Sequence, residues 1–236
     1  GSVSSQFITG LLLALSLLNE ESTLSVTGKV ESKPYIALTA RVLSMFGGDA
    51  SHPGGKKLRS PGYIAVEGDW SNGAFFLAAN ALGSDLAILG LNPDSCQGDR
   101  AVSEILPQLS AACPTVSAGD IPDLVPILAI VAAANHGAVF TDIRRLRLKE
   151  SDRVATVVEM VKKLGGTAEA DENTLTVHGT GLTGGTVDAH NDHRIAMAAA
   201  MGATVCEKPV TILGAQAVEK SYPQFWNEYR RLGGIL

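Results

Sequence analysis

Two short polar runs carry the residue types that chemistry on an anion needs. Lys149-Glu150-Ser151-Asp152-Arg153 sets cations, carboxylates and a hydroxyl side by side, and Asn191-Asp192-His193-Arg194 places an imidazole beside a guanidinium. An arginine fork matches the paired oxygens of a carboxylate or a phosphate. In an arbitrary protein a run such as Lys149–Arg153 is a solvated charged turn, and a lone His is more often structural than catalytic. The second run leads straight into an Ala-rich stretch, where a solvated turn sits less comfortably. Lys220 follows a strand-like run and precedes Tyr222, Phe225 and Trp226; alone it reads as a surface residue.

Both runs stand at predicted helix starts, and such starts number eight along the chain. A helix N-terminus has unpaired N–H groups and about half a positive charge, so it attracts phosphate or carboxylate. Ser4, Ser5, Ser32, Ser151 and Ser221 can cap a helix or hydrogen-bond an oxyanion. Taken singly each is a cap. Caps do not need cations, whereas anionic ligands do, and several of these starts carry Lys or Arg.

The positioning elements recur. Four Ala/Leu-rich helical stretches begin at Ser4-Ser5-Gln6, Asp69-Trp70-Ser71-Asn72, Asp120-Ile121-Pro122-Asp123 and Asn191–Arg194. Each is followed by a strand-like run: Thr23–Gly28, Asp85–Leu91, Gly137–Ile143 and Pro209–Gly214. Second polar clusters follow, at Ser32-Lys33-Pro34-Tyr35, Gln97-Gly98-Asp99, Lys149–Arg153 and Lys220-Ser221-Tyr222-Pro223. Amphipathic helices come next, clearest in Val154, Val157, Val158, Val161 and Leu164 with Gly165 as left-handed C-cap. Pro107 predicts a kinked or shortened helix in the second copy. Thr174–His178 and Gly185–Ala189 read as a hairpin, for which Ser110–Gly119 in the second copy is too short, and Gly48–Ser60 in the first is also reduced. A period of roughly 50 to 70 residues is a repeated βα unit. The Ala-rich helices are apolar nearly all round, which predicts burial on several sides, as inside a ring of sheets.

Composition sets the bounds. With 236 residues, 45% hydrophobic and 18% charged, the chain is a globular α/β protein with room for one large domain or two smaller ones. A net charge of −5 and 5% aromatic residues argue against nucleic acid as a partner. Cys96, Cys113 and Cys206 are odd in number and not spaced as metal ligands, which predicts a reduced, cytoplasmic setting. The apolar run Phe7–Leu18 is too short to span a bilayer, and no signal peptide precedes it. Gly1 stands inside an apparent helix start without an initiator Met, so an upstream segment is expected.

The stretches GSVSSQFITGLLLAL, SKPY, EGDWSNGAFFLAA, QGDRA, DIPDLVPILA, RLRLKESDR, NDHRIAMA and VEKSYP, in this order, resemble the 5-enolpyruvylshikimate-3-phosphate synthase family. The resemblance implies transfer of the enolpyruvyl group of phosphoenolpyruvate to the 5-hydroxyl of shikimate 3-phosphate with release of phosphate. It implies no metal or organic cofactor, a monomer when complete, and two domains of three βαβαββ units each. Residues 1–66 would be the last unit of the first domain and 67–236 the second domain, with the boundary near Val66–Asp69. Carried over by motif, Ser4, Ser5, Gln6, Ser32 and Tyr35 contact shikimate 3-phosphate, joined by Asp123 and Lys149 at its hydroxyls. Arg153, Arg194 and Lys220 clamp phosphoenolpyruvate, and His193 orients Arg194. Asp123 and Glu150 are the acid–base pair, one near the attacking hydroxyl and one near the methylene carbon that gains a proton.

The chain departs from the family in three ways. The upstream motifs are absent, Arg145 replaces an Asn found in some members, and Ala37 replaces a frequent Asp. Other readings are the sister transferase acting on UDP-N-acetylglucosamine, a substrate-binding fragment without turnover, and an α/β repeat with no site. The SSQ, SKPY and KESDR motifs favour the shikimate enzyme over its sister.

Overall fold

Polar caps followed by apolar stretches become helices where their spacing predicts. The computed structural model describes residues 4–28, 30 and 32–236, so the first three residues of the GSVSSQ motif lie outside it. Internal packing divides the chain into two units, Gly1–Gly68 with Asn92–Arg100, and Asp69–Leu91 with Ala101–Leu236.

In the first unit, α1 (Ser5–Leu15) starts at Ser4, whose hydroxyl accepts the Gln6 N–H at 3.2 Å. Helix α2 (Lys33–Met45) starts at Ser32 in left-handed backbone, φ 53°, with Pro34 in its first turn. The two pack through Ile8, Leu12 and Leu43. Contrary to expectation, α1 is not covered on several sides: Phe7, Leu11 and Leu13 are exposed. Thr23–Gly28 forms no strand, and among the described residues the β-pairing in this region is a single Glu21–Gly54 bridge. A strand exists only where a neighbour takes up its backbone hydrogen bonds, and the short Gly48–Ser60 stretch offers no more than that bridge.

The second unit contains α3 (Trp70–Ala81), α4 (Val102–Ala111), β1 (Thr115–Ser117), α5 (Val125–Ala134), β2 (Gly137–Thr141), α6 (Arg153–Lys163), β3 (Thr167–Ala170), β4 (Thr174–His178), β5 (Gly185–Asp188), α7 (His193–Ala203), β6 (Val210–Leu213) and α8 (Phe225–Arg231). From β1 to β4 the order is a complete βαβαββ unit. Its sheet runs β1-β2-β4-β3, with β1 parallel to β2 and the other pairs antiparallel. A second, parallel pair joins β5 and β6 across α7. Helix α5 is buried from Val125 to Ala133 and α7 from His193 to Gly202, because each is wrapped by the other, by α3 and by a sheet. The small residues Ala129, Ala132, Ala196 and Ala199 let these helices approach closely while burying apolar surface.

Local departures have local causes. Asp85–Leu91 forms no strand, and at Leu86 the Asn80 side chain takes up both backbone groups: Oδ1 accepts from Leu86 N at 2.8 Å and Nδ2 donates to Leu86 O at 2.9 Å. The predicted hairpin between Thr174–His178 and Gly185–Ala189 is absent. Instead β4 pairs with β3 through a turn in which the Asp171 carboxylate accepts the Asn173 and Thr174 N–H groups. The following segment is tied to the end of α6, where Thr183 N and Gly184 N donate to Leu164 O, and this carries β5 to the other sheet. Gly165 caps α6 at φ 89°, and a Cβ there would collide with the Thr183 hydroxyl. Pro107 lies within α4 without ending it, on the exposed face where water reaches a carbonyl deprived of its helical donor. No helix among the described residues is long and apolar enough to cross a membrane.

Candidate active site

The N-caps of two helices bring the chemistry of the second unit together. Asp192 caps α7 by accepting the Arg194 N–H at 2.9 Å, and Asp152 caps α6 by accepting the Ala155 N–H at 3.1 Å. Arg153 opens α6 with its side chain fully buried, which is tolerable only because carboxylates surround it. Its Nε donates to Asp192 Oδ2 at 3.0 Å, its Nη1 to Asp123 Oδ1 at 2.7 Å and its Nη2 to Glu150 Oε2. Asp123, on the turn before α5, also meets Arg194 Nη2 at 3.1 Å and Lys149 Nζ at 3.4 Å. The Ser151 hydroxyl donates to Asp192 Oδ2 at 3.1 Å. The sequence-predicted Asp123, Lys149, Glu150, Arg153 and Arg194 thus form one network.

The electrostatics follow from burial against charge. Burial pushes the Asp123 carboxyl up, but Arg194, Lys149 and Arg153 outweigh it and hold the group far below the usual carboxylate range. Asp192 is likewise raised by burial and lowered on balance by Arg153. Burial lowers the Arg153 pKa, and Asp192 and Asp123 more than restore it. His193 is depressed by burial and further by Arg194, so its ring is neutral near pH 7. Its Nδ1 is buried with no hydrogen-bond partner, as are Nε and Nη1 of Arg194. Lys220 ends a 3-10 turn and donates to the Asn191 carbonyl at 2.6 Å, which joins it to the start of α7.

The remaining predicted residues belong to the first unit. Ser4 is the N-cap of α1, Ser5 is buried in its first turn, and Gln6 is exposed beside it. Ser32 is buried at the start of α2, and Tyr35 is half-buried one turn on. Asp192 was not singled out as a site residue from sequence. Its signal was present, since an Asp directly before His-Arg at a helix start is an N-cap able to hold a second cation. Among the described residues no group of three or more His, Cys, Asp and Glu is placed to hold a metal ion.

Buried cations balanced by carboxylates, on helix N-termini of an α/β scaffold that contains a complete βαβαββ unit, define the class of fold and the charged cluster it carries. Comparison with known proteins gives the family. A profile described as EPSP synthase (3-phosphoshikimate 1-carboxyvinyltransferase) matches residues 1–120 and 113–229. The chain belongs to the EPSP synthase family. It is 39% identical to the 3-phosphoshikimate 1-carboxyvinyltransferase of Clostridium novyi over 262 residues, covering 100% of this chain and 60% of that protein. Against the Clostridioides difficile protein of the same name the identity is 36%, again over 100% of this chain and 60% of the relative. The structure of EPSP synthase from Acinetobacter baumannii superposes with a TM-score of 0.78 at 27% identity, covering 98% of this chain and 61% of that one. The chain therefore spans about three fifths of the length of these relatives. The match to the Clostridium novyi protein is longer than the 236 residues here, so that relative carries internal segments that this chain lacks.

Proposed function

We propose that this chain is the part of a 3-phosphoshikimate 1-carboxyvinyltransferase that carries the phosphoenolpyruvate clamp and the acid–base pair. The observation that carries the reading is Arg194: a residue 8% exposed, with guanidinium Nε and Nη1 unpaired, at the N-terminus of a buried helix. An unpaired buried donor is costly unless a ligand meets it. The carboxylate and phosphate of phosphoenolpyruvate would take Arg194, Arg153 and Lys220. Shikimate 3-phosphate would take Lys149 and Asp123; Ser4, Ser5, Gln6, Ser32 and Tyr35 are assigned to the same substrate by their motifs alone. Residues 1–66 then act as the last unit of an N-terminal domain and 67–236 as the C-terminal domain.

The chemistry on this reading is addition and then elimination. The 5-hydroxyl oxygen adds to C2 of phosphoenolpyruvate and loses its proton to Asp123, while Glu150 delivers a proton to the C3 methylene. The tetrahedral adduct then loses phosphate, and a proton leaves the new methyl group to restore the double bond. Two anionic substrates repel each other, so fixed cations and helix N-termini must offset that repulsion. In the ligand-free protein Asp123 is held ionised and weakly basic by three cations. An arriving anion competes for those cations and strengthens Asp123 as a base when substrate is present. We place the protein in the cytoplasm as a monomer when complete, with no nucleic-acid partner.

A fragment that binds without turnover is the second reading. Titration of the chain with phosphoenolpyruvate and with shikimate 3-phosphate, followed by a phosphate-release assay, separates the two. Binding with no phosphate release supports the fragment, and binding of neither ligand overturns both. Turnover with UDP-N-acetylglucosamine in place of shikimate 3-phosphate would move the protein to the sister activity.

A further inference from the structure

Three segments of the second unit converge at the edge of the clamp, and the proposed mechanism does not use all of their polar atoms. At the start of α3 the Asp69 carboxylate accepts the Ser71 N–H at 2.9 Å, which sets Ser71 and Asn72 in the first turn. Asn72 Nδ2 donates to the Ser221 carbonyl at 3.5 Å. The preceding residue, Lys220, reaches the Asn191 carbonyl at 2.6 Å, next to the Asp192 cap of α7. These two bonds tie together the first turn of α3, the Lys220–Ser221 turn and the start of α7. The Ser71 and Ser221 hydroxyls, Asn72 Oδ1, and Nε and Nη1 of Arg194 are all buried there without a hydrogen-bond partner. Ser71 is 7% exposed and Arg194 8%, so bulk water does not serve them. Folded proteins pair nearly all buried polar atoms. A cluster of unpaired ones on adjoining segments is a place where a polar ligand would satisfy them.

We propose that Ser71 and Ser221 complete the phosphoenolpyruvate subsite as two neutral hydroxyl donors, with Asn72 as the positioning residue that holds the Ser221 turn against α3. The proposal rests on the phosphoenolpyruvate reading of Arg194 and Lys220. Neutral donors suit this place. They add directional bonds to an oxyanion without changing the charge balance that Asp123 and Glu150 feel.

The test measures binding and stability on the same variants, Ser71→Ala, Ser221→Ala and Asn72→Ala. Each serine variant should bind phosphoenolpyruvate about tenfold more weakly by calorimetry, the size expected for a hydrogen bond to a charged group. Without ligand its unfolding temperature should stay the same or rise, because a buried unpaired hydroxyl has been removed. Asn72→Ala should weaken binding, and Asn72→Gln should not restore it, since the longer side chain misplaces the tie. Unchanged affinity in both serine variants overturns the proposal. So does a fall of several degrees in their ligand-free unfolding temperature, which would reveal an internal partner. If the unaltered chain ignores phosphoenolpyruvate, that reading fails on its own, and the same titrations with inorganic phosphate decide the hydroxyls: a tenfold loss retains them as anion ligands, and no loss removes them. Binding of neither anion overturns both claims.

Discussion

Arg153→Met tests the network at its centre. The guanidinium is fully buried and faces three carboxylates, Asp192 at 3.0 Å, Asp123 at 2.7 Å and Glu150. Methionine fills similar space with no charge. It leaves Asp192, itself fully buried, with the Arg194 N–H and the Ser151 hydroxyl but no buried cation bonded to it. Breaking a buried ion pair from one side costs about 3–5 kcal/mol. The lower end applies here, because Asp123 keeps Arg194 and Lys149 and Glu150 is 40% exposed. For a unit of this size the melting temperature should fall by roughly 6–12 °C. Urea unfolding followed by tryptophan fluorescence reads the correct unit, since Trp70 and Trp226 are the two tryptophans of the chain and both lie in it.

The pH dependence gives the sign. In the unaltered protein Asp192 sits below its ordinary value of 3.8, so its stabilisation is complete above that value and is lost as pH falls through the folded one. In the variant, burial acts without Arg153 to outweigh it, and the Asp192 pKa rises above 3.8. Protonation on going from pH 7.5 to pH 5 then sheds part of the penalty, and the deficit relative to the unaltered protein shrinks. A deficit under about 1 kcal/mol at both pH values, the range of a solvent-screened pair, or one that grows at pH 5, would refute the reasoning.

Arg194→Ala removes the unpaired donors but leaves Asp123 with two cations, so the fold should survive while phosphoenolpyruvate affinity drops about 30-fold or more, measured by calorimetry. Glu150→Gln, made in a protein extended to the full length of its relatives, should keep substrate binding and lower kcat by about a hundredfold, which a phosphate-release assay reads. Gly165→Ala should cost about 2–4 kcal/mol in urea unfolding and Gly181→Ala about 1–2, since both are left-handed but only the first would meet a neighbour, Thr183. The His193 ring should titrate below 6.5 by NMR and shift upward when an anion binds. Its neutral form contributes stability above pH 6.5 that is lost as pH falls through the window beneath it, and His193→Gln should flatten that loss.

Much of this protein is local, and the sequence by itself determined that part. A polar cap before an apolar run set the starts of α1, α3, α6 and α7, because capping and helical spacing act within a few residues. Gly165 announced the end of α6 for the same reason. The family resemblance of the chain's motifs also named Asp123, Lys149, Glu150, Arg153 and Arg194, which the structure joins in one network. Strand pairing was decided only by the tertiary structure. Thr23–Gly28 and Asp85–Leu91 have strand composition and no ladder, and β4 chose β3 over β5, since a strand depends on partners brought from elsewhere in the chain. For Asp192 the sequence marked a helix cap before His193 and Arg194, but not the buried Arg153 that it holds. Residues 123, 153 and 194 meet around one buried guanidinium because α5, α6 and α7 pack side by side, and that packing sets which cations are neutralised and which donors remain unpaired for a ligand.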